Sequence, residues 1–360
     1  MAEKLKYILF PLEKIRYFGN VLRKVYPEFQ SDNFVTAVCD KDWPERELKE
    51  KMRHTTLCLH QFLPKDFEKA VDILVAIVPR VSGFETIVLP DYVEVYGQEN
   101  WDISLPALGE LTKCGSSEFG IRPFLNTDLE KAMKYMLAWA DNENFRVRRF
   151  ASEGCRPRLP WASGVPALKK DPGLILPILE KLKDDPEEFV RKSVANNLND
   201  ISKEHPALVL DICECWQGNS RNTDWIIKHA CRTLLKQGNK RAMLLFGFAN
   251  PERMKVDGLA FSNNTPKIGE DVTFSFELNL DIIQKQKVRI EYIVHFIKVN
   301  GKPSPKVFHI KEVAMQPGKH AITKKHTFKN MSTRKHYPGE HRFEVVINGE
   351  VKADKCLMLL

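Results

Sequence analysis

Apolar side chains follow two different periods along the chain. In the first 250 residues they recur every three to four positions, which is the spacing of one face of an α-helix. The clearest stretches are residues 66–78, 128–139, 173–183 and 204–216. We therefore expect residues 1–250 to form an all-α domain.

Beyond about Val256 the period becomes two, as in residues 272–280 and 288–296. Such alternation predicts strands with one buried face. Turn signals separate the runs at Asn300-Gly301, Pro317-Gly318, Pro338-Gly339 and Asn348-Gly349. About seven short strands in roughly 100 residues are typical of an immunoglobulin-like sandwich. Residues 256–360 are therefore predicted to form an all-β domain.

Three segments of the helical part resemble one another. Each has an acidic turn, an aromatic and an apolar residue, and then basic residues. Their matching apolar positions, Val147, Val190 and Ile226, lie 43 and 36 residues apart, a period of paired helices that indicates HEAT-type repeats. In such repeats the second helix of each pair lines the inner face. Glu153, residues 196–200 and residues 228–232 are then expected to gather there.

Residues 145–161 carry the most informative local pattern. Arg149, Glu153 and Arg156 are spaced four and three residues apart, so they share one strip of a helix surface. Pro157 and Pro160 then end the helix and stiffen the chain that leads to Trp161. A carboxylate surrounded by arginines beside an aromatic ring is a candidate site. The alternative interpretation is a solvated helix edge, with Glu153 a simple partner of Arg149.

Charge and cysteine usage narrow the class of protein. From residue 251 onward there are 19 Lys and Arg against 12 Asp and Glu, whereas the first 250 residues hold 36 against 35. The basic excess of the last third favours a polyanionic partner. The 8 cysteines follow no disulfide or zinc spacing, which suits a cytoplasmic protein. No apolar run approaches the roughly 20 residues that span a bilayer, so we expect no membrane partner.

Common catalytic motifs are missing from the sequence. It contains no Walker loop, no GxSxG elbow, no HExxH and no Cys/His array. We therefore expect neither a metal nor a cofactor. The thiol of Cys155 follows Glu153 closely, but no neighbouring residue in the sequence would act as its base.

With repeats, the Arg-rich Glu153 helix and a C-terminal sandwich, the whole chain resembles the AlkC branch of the alkylpurine DNA glycosylases. The most specific parts are residues 145–161 and Ser193-Val-Ala-Asn-Asn-Leu-Asn-Asp200. The resemblance implies a monofunctional glycosylase of base excision repair that hydrolyses the N-glycosidic bond of cationic alkylated bases, 3-methyladenine and 3-methylcytosine. It further implies double-stranded DNA as partner. We expect a monomer in the bacterial cytoplasm, active at the nucleoid.

The resemblance also assigns roles to residues. Glu153, Asp200 and Glu118 are implied to be catalytic carboxylates, and Trp161 to contact the lesion. Contacts with DNA phosphates are expected from a set of cations: Arg148, Arg149, Arg156, Arg158, Arg232, Lys324, Lys325, Arg334 and Lys335.

Several of these residues also suit an ordinary structural role. Asp200 suits a turn at a helix end, Glu118 suits the first turn of a helix, and Trp161 suits ordinary packing. His229 is expected to pack. For the whole chain, the alternative is a non-catalytic helical-repeat scaffold that binds nucleic acid or protein, although such a binder gains nothing from carboxylates in a basic groove.

Overall fold

The computed structural model of the chain describes residues 10–331 and 334–360. The backbone packs as two compact units, one up to Ala230 and one from Cys231 onward. In the described ranges, no helix has both the length and the apolar character needed to cross a membrane. The sequence predicts a domain boundary near residue 250, where the period of apolar residues changes. The division between the packed units lies earlier, before two short helices that precede the first strand.

The described part of the first unit is entirely helical, as the 3.6-residue period predicts. Its α-helices are α1 (Leu12–Val25), α2 (Ser31–Val38), α3 (Leu48–Phe62), α4 (Phe67–Ala76), α5 (Val88–Tyr96), α6 (Trp101–Leu111), α7 (Arg122–Thr127), α8 (Leu129–Trp139), α9 (Phe145–Gly154), α10 (Pro166–Lys170), α11 (Leu176–Leu182), α12 (Glu188–Ile201), α13 (Pro206–Trp216) and α14 (Arg221–Ala230). Two 3₁₀ turns lie at Val78–Arg80 and Phe84–Ile87.

Helix pairs repeat through the second half of this unit. The pairs are α8 with α9, α11 with α12, and α13 with α14, and the second helices α9, α12 and α14 pack side by side. Val147, Val190 and Ile226 occupy matching buried positions on these three helices. The repeat predicted from their spacing is therefore confirmed, and it places the polar edges of α9 and α12 next to each other.

Local chemistry sets the two ends of α9. The side chain of Asn144 caps the helix by accepting a hydrogen bond from the amide of Arg146 at 2.9 Å, which satisfies one of the free N–H groups of the first turn. At the other end, a Cβ on Gly154 would lie only 2.7 Å from the Met136 side chain of α8. A side chain at this position would require the flexible end of Met136 to move, whereas glycine leaves the contact undisturbed.

The second unit contains seven strands among its described residues, which confirms the immunoglobulin-like sandwich. They are β1 (Met254–Phe261), β2 (Asp271–Leu280), β3 (Gln286–Ile297), β4 (Pro303–Met315), β5 (Gly318–Thr327), β6 (Gly339–Ile347) and β7 (Glu350–Leu359). They form a three-stranded sheet, β1-β2-β5, and a four-stranded sheet, β4-β3-β6-β7, with antiparallel pairing. Helices α15 (Arg232–Lys236) and α16 (Lys240–Leu245) and a 3₁₀ turn at Pro251–Arg253 precede them.

Turn chemistry and alternation explain the sandwich. Asn348 and Gly349 both have positive φ, 46° and 81°, as a two-residue hairpin between β6 and β7 requires. Asn348 also donates to the carbonyl of Ala249 at 2.6 Å, so this hairpin fixes the segment ahead of β1. Alternate residues of β2, including Phe274 and Phe276, are buried in the core between the sheets.

Candidate active site

The strip on α9 forms as its spacing predicts. Glu153 is only 5% exposed, and its Oε1 accepts from Arg156 Nη1 at 2.6 Å while Arg149 Nη2 lies 3.3 Å away. Glu153 therefore pairs with Arg149 of the same helix, as the alternative interpretation of the sequence predicted. Its burial and its second arginine give it a more constrained environment than a solvated helix edge.

The neighbouring repeat fixes the other oxygen of this carboxylate. Ser193 of α12 donates its hydroxyl to Glu153 Oε2 at 2.7 Å and also bonds the Ser152 hydroxyl at 3.1 Å. Both carboxylate oxygens therefore have directed partners, and the side chain is held in one orientation before any ligand arrives.

Asp200 joins the same cluster through Arg156. Arg156 Nε donates to Asp200 Oδ2 at 2.8 Å, and Lys203 Nζ contacts Oδ1 at 3.0 Å. Burial disfavours the charged form of Arg156, yet the carboxylates of Glu153 and Asp200 outweigh it and raise the guanidinium pKa. Asp200 lies in the last turn of α12, but it is 3% exposed and ion-paired, which is more than a turn residue needs.

Glu118 lies in a turn just before α7, and not in a helix. Its Oε2 accepts from Arg149 Nη1 and from the Ser116 hydroxyl. Three carboxylates, Glu118, Glu153 and Asp200, thus share two guanidinium groups, those of Arg149 and Arg156. The structure brings together all three carboxylates that the resemblance singles out.

A cavity of about 510 Å³ opens over this cluster, which is a normal size for a small-molecule site. Glu118 and Glu153 both border it, whereas Asp200 is not among the described residues that line it. The lining residues come from three stretches, Ser82, Gly83, Phe84 and Ile87, then Cys114, Gly115, Ser116, Glu118 and Phe119, and then Arg146, Glu153, Arg156, Leu159, Pro160 and Trp161.

Trp161 stands at the rim of this cavity with a strained backbone. Its φ is +66°, in the left-handed region, which costs a non-glycine residue on the order of 1 kcal/mol. The side chain is 58% exposed, so it is not packed in a core. Lys49 Nζ donates to the Trp161 carbonyl at 2.6 Å. An exposed aromatic ring held in a strained conformation at a cavity is available to a ligand.

The remaining arginines of this unit lie elsewhere. Arg148 donates to both oxygens of Asp185, at 2.6 and 3.1 Å, and to two backbone carbonyls, so it ties α9 to the turn between α11 and α12 of the next repeat. Arg158 forms an exposed ion pair with Glu204. His229 stacks on Trp225 with ring centroids 5.3 Å apart, and this packing confirms the expectation for that residue. Phosphate contact by Arg148, Arg149, Arg156 and Arg158 stays a prediction.

The other predicted phosphate contacts belong to the second unit. Arg232 opens α15 there. Lys325 forms an ion pair with Asp271 at 2.6 Å, and Lys324 precedes it on β5. Arg334 and Lys335 line a separate cleft of about 460 Å³ at one end of the sandwich.

Some residues of the site were not anticipated from the sequence. Arg146 borders the cavity, and helical periodicity was the available signal, since it precedes Glu153 by two turns. Ser116, Ser193 and Lys203 also contact the carboxylates. The Ser193 contact depends on the packing of one repeat against another, so no local spacing predicts it. Ser116 and Lys203 lie two and three residues from the carboxylates that they contact.

The chemistry of the site rests on carboxylates. Burial raises the pKa of the Cys155 thiol to about 12 and that of Cys114, on the cavity wall, to about 11. Neither thiol is therefore primed as a nucleophile. Within the described part of the chain, no group of three His, Cys, Asp or Glu side chains is arranged to hold a metal ion.

Comparisons with known proteins agree with this geometry. The sequence profile of the family described as "DNA alkylation repair enzyme" matches residues 115–235, and that of the "Uncharacterised protein YhaZ, C-terminal Ig-like domain" matches residues 255–360. The uncharacterized protein YhaZ of Bacillus subtilis (strain 168) is 47% identical over 332 residues, 92% of each chain.

Among solved structures, the fold matches the Pseudomonas fluorescens alkylpurine DNA glycosylase AlkC bound to DNA containing an abasic site analog. The TM-score is 0.82 with 36% identity, over 99% of this chain and 100% of that chain. Similarity of this extent, in sequence and in both units, places the chain in the AlkC branch of the DNA alkylation repair glycosylases.

Proposed function

We propose that this DNA alkylation repair glycosylase releases cationic alkylated bases, 3-methyladenine and 3-methylcytosine, by hydrolysing the N-glycosidic bond, and that it does so in base excision repair. The observation that carries the proposal is the buried Glu153 carboxylate, which borders a cavity while Arg149, Arg156 and Ser193 fix its orientation.

The chemistry of the lesion explains why carboxylates suffice. A base that is already positively charged takes both electrons of the bond to C1′ and leaves as a neutral molecule, so a strong general acid is unnecessary. The deoxyribose left behind becomes an oxocarbenium ion. Water then adds to C1′ and loses a proton to a carboxylate. The enzyme's task is to stabilise the cation and orient the water.

The cluster suits that task electrostatically. Glu118, Glu153 and Asp200 share the two guanidinium groups of Arg149 and Arg156. A further cation, Lys203, has a side chain 37% exposed, so water screens its charge. Glu118 and Glu153 border the cavity together with Arg146 and Arg156, so in this proposal the carboxylates stabilise the sugar cation through their positions and not through an excess of negative charge. In this proposal Glu153 faces the cation, Glu118 borders the same cavity, and Asp200 acts through Arg156.

Trp161 is proposed to contact the lesion. A cationic base over an aromatic face gains about 0.5–2 kcal/mol, and this preference favours charged lesions over ordinary bases. The cavity wall adds Phe84 and Phe119, which give it an apolar surface beside the carboxylates. A neutral base would gain less from the ring and would be a worse leaving group.

Double-stranded DNA that contains an alkylated base is the proposed substrate. The match to AlkC bound to abasic-site DNA supports this partner, since abasic DNA is the product of base release. We further propose that the sandwich contacts the DNA backbone through its basic residues, and that Arg146 and the more exposed Arg158 are better available to phosphates than Arg149 and Arg156, whose guanidinium groups are almost buried among carboxylates.

The protein is also proposed to act as a monomer at the bacterial nucleoid, in the cytoplasm. All three carboxylates and the described cavity walls lie within the helical unit of the chain, which supports a site formed by a single copy.

Release of free base by purified protein tests the proposal. DNA treated with a methylating agent supplies 3-methyladenine, and duplexes with a single uracil or hypoxanthine supply neutral lesions for comparison. We expect rapid release of 3-methyladenine and hardly any release of uracil or hypoxanthine. Failure to release methylated bases would leave only a DNA-binding scaffold, and efficient uracil release would require a general acid instead of a charged lesion.

A further inference from the structure

The loop between α9 and α10 carries two residues of the site. It runs from Cys155 to Val165, without helix, and includes both Arg156 and Trp161. Because Arg156 orients two carboxylates and Trp161 stands at the cavity rim, the path of this loop sets the geometry of the site.

We infer that Arg122 and Lys49 are positioning residues that hold this loop, and this inference rests on the proposed glycosylase function. Arg122, at the start of α7, is 1% exposed. Its Nη1 donates to the carbonyls of Gly154 at 2.8 Å and Arg156 at 3.0 Å, and its Nε donates to the carbonyl of Ser163 at 2.8 Å. One side chain thus ties together both ends of the loop.

Lys49 fixes the middle of the loop. From α3, its ammonium donates to the carbonyl of Trp161 at 2.6 Å and lies 5.9 Å from the ring centroid of Phe119. Trp161 is the residue with φ of +66°, so this bond holds the strained peptide in place. Lys49, Arg122, Phe119 and Trp161 border one small cavity of about 180 Å³ behind the loop.

Arg122 differs in its partners from four other arginines near the site. Arg148, Arg149, Arg156 and Arg158 each pair with a carboxylate, whereas among the described residues Arg122 has only carbonyl partners and its Nη2 has none. Burial without a counter-ion lowers its pKa to about 10. Burying an unpaired cation is costly, but the planar fork of a guanidinium can serve several carbonyls at once, which no apolar side chain can do.

The effect on the reaction follows from these bonds. The carbonyl of Arg156 is anchored by Arg122, so the Arg156 guanidinium reaches both Glu153 and Asp200. Without the anchor, the loop shifts and both Arg156 and Trp161 leave their positions. A displacement of about 1 Å at a catalytic group can slow a reaction about 10²-fold.

Lys49→Met and Arg122→Lys test this, with Lys134→Met, an exposed lysine of α8, as the matched control. We expect single-turnover release of 3-methyladenine to slow about 3- to 10-fold in Lys49→Met and about 30-fold in Arg122→Lys. One ammonium cannot reach three carbonyls, so lysine keeps the charge of Arg122 but not its geometry. Melting temperatures verify that each variant is folded.

A double-mutant cycle distinguishes positioning from a general structural role. In a Trp161→Ala background, Lys49→Met should slow the release of 3-methyladenine by less than about twofold, because the side chain that Lys49 positions is absent. Full additivity of the two substitutions, or a wild-type rate in Lys49→Met, would overturn the role of Lys49. A wild-type rate in Arg122→Lys would overturn the role of Arg122.

A second measurement needs no glycosylase activity and so separates this inference from the proposed function. The indole N–H resonance of Trp161 in NMR spectra is assigned by its disappearance in Trp161→Phe. We expect it to shift and broaden in Lys49→Met and in Arg122→Lys but to stay unchanged in Lys134→Met. An unmoved resonance in the two test variants would refute the inference even if the enzyme is active, and a moved one would support it even if the substrate class is wrong.

Discussion

The molecule holds two groups of cations that differ in what surrounds them. Around the cavity of the first unit, Arg149 and Arg156 are almost buried and pair with carboxylates. At one end of the sandwich, a cleft presents cations and aromatic rings without a carboxylate among its described lining residues. That cleft, the sandwich cleft, is lined by Phe296, Ile297, Lys298, Val299, Ser304, Pro305, Lys306, Arg334, Lys335 and Tyr337.

The four cations of the sandwich cleft form no ion pair with a described residue. Arg334 lies 4.6 Å from the ring centroid of Phe296 and 5.4 Å from that of Phe308, so its guanidinium is placed by aromatic faces. The same residue type therefore occurs in two different settings. Paired arginines orient carboxylates, and unpaired ones are available to a polyanion. Chemistry and DNA affinity should therefore be separable by substitution.

The largest effect is expected at the paired cluster. Glu153→Gln removes the charge that is proposed to face the developing cation, so release of 3-methyladenine should fall about 10²-fold or more. The affinity for DNA with a neutral abasic analogue should change little. Glu188→Gln, an exposed position on α12, is the matched control. Wild-type release by Glu153→Gln, measured in single turnovers, would remove this residue from the mechanism.

The next effect is a loss of stability at low pH, which we expect for the sandwich. Burial lowers the pKa of His326 to about 3 and also lowers those of His336 and His341. Unfolded histidines titrate near 6.5, so the unfolded sandwich binds more protons than the folded one below that pH, and stability falls as the pH drops. The lowered pKa of His326 alone should reduce the free energy of unfolding of the sandwich by about 2 kcal/mol at pH 5.

Calorimetry between pH 7 and 5 measures this effect. All 6 tryptophans lie before residue 231, so tryptophan fluorescence identifies the transition of the helical unit, and the remaining heat belongs to the sandwich. His326→Gln should flatten the pH dependence of that second transition. Stability of the sandwich that is constant over this range would show that the histidines are protonated in the folded state.

A smaller catalytic effect is expected at Asp200. Asp200→Asn weakens the hold on Arg156 without touching the cavity, so base release should slow about tenfold, less than for Glu153→Gln. The comparison of the two variants under the same single-turnover conditions ranks the carboxylates. If Asp200→Asn loses as much activity as Glu153→Gln, Asp200 contacts the water or the sugar directly.

The smallest effect concerns the unpaired cations. Neutralising Arg334 and Lys335 with glutamine should reduce the slope of log affinity against log salt by about 0.9 for each DNA phosphate that these side chains neutralise. The rate of base release from bound DNA should change little. Lys325→Gln, at a cation already paired with Asp271, should reduce the slope less. Parallel salt plots for all three proteins would show that this end of the sandwich does not touch DNA.

Local signals in the sequence predicted most of the fold. The change of period separates helices from strands, and Asn348-Gly349 marks a hairpin because both residues accept positive φ. The Arg149–Glu153–Arg156 strip was predictable for the same reason, since three- and four-residue spacings meet on a helix surface.

Contacts between distant segments were beyond such reasoning. Lys49 and Trp161 are 112 residues apart, and Glu153 and Ser193 are 40 apart, so only the packing of repeats brings them together. Arg148 is a second example of a residue whose contacts the sequence did not predict. It lies one position off the strip of Arg149, and the structure turns it toward Asp185 and away from the cavity. Net charge alone did not distinguish these two arginines.

The central claim is that the carboxylates stabilise a sugar cation, and the affinity for two abasic analogues tests it most directly. A pyrrolidine in place of the deoxyribose carries a positive charge at neutral pH, whereas a tetrahydrofuran of the same shape is neutral. We expect wild-type protein to bind the pyrrolidine duplex about 10²-fold more tightly and Glu153→Gln to lose most of that preference. Equal affinity of the wild-type protein for the two duplexes would contradict the account.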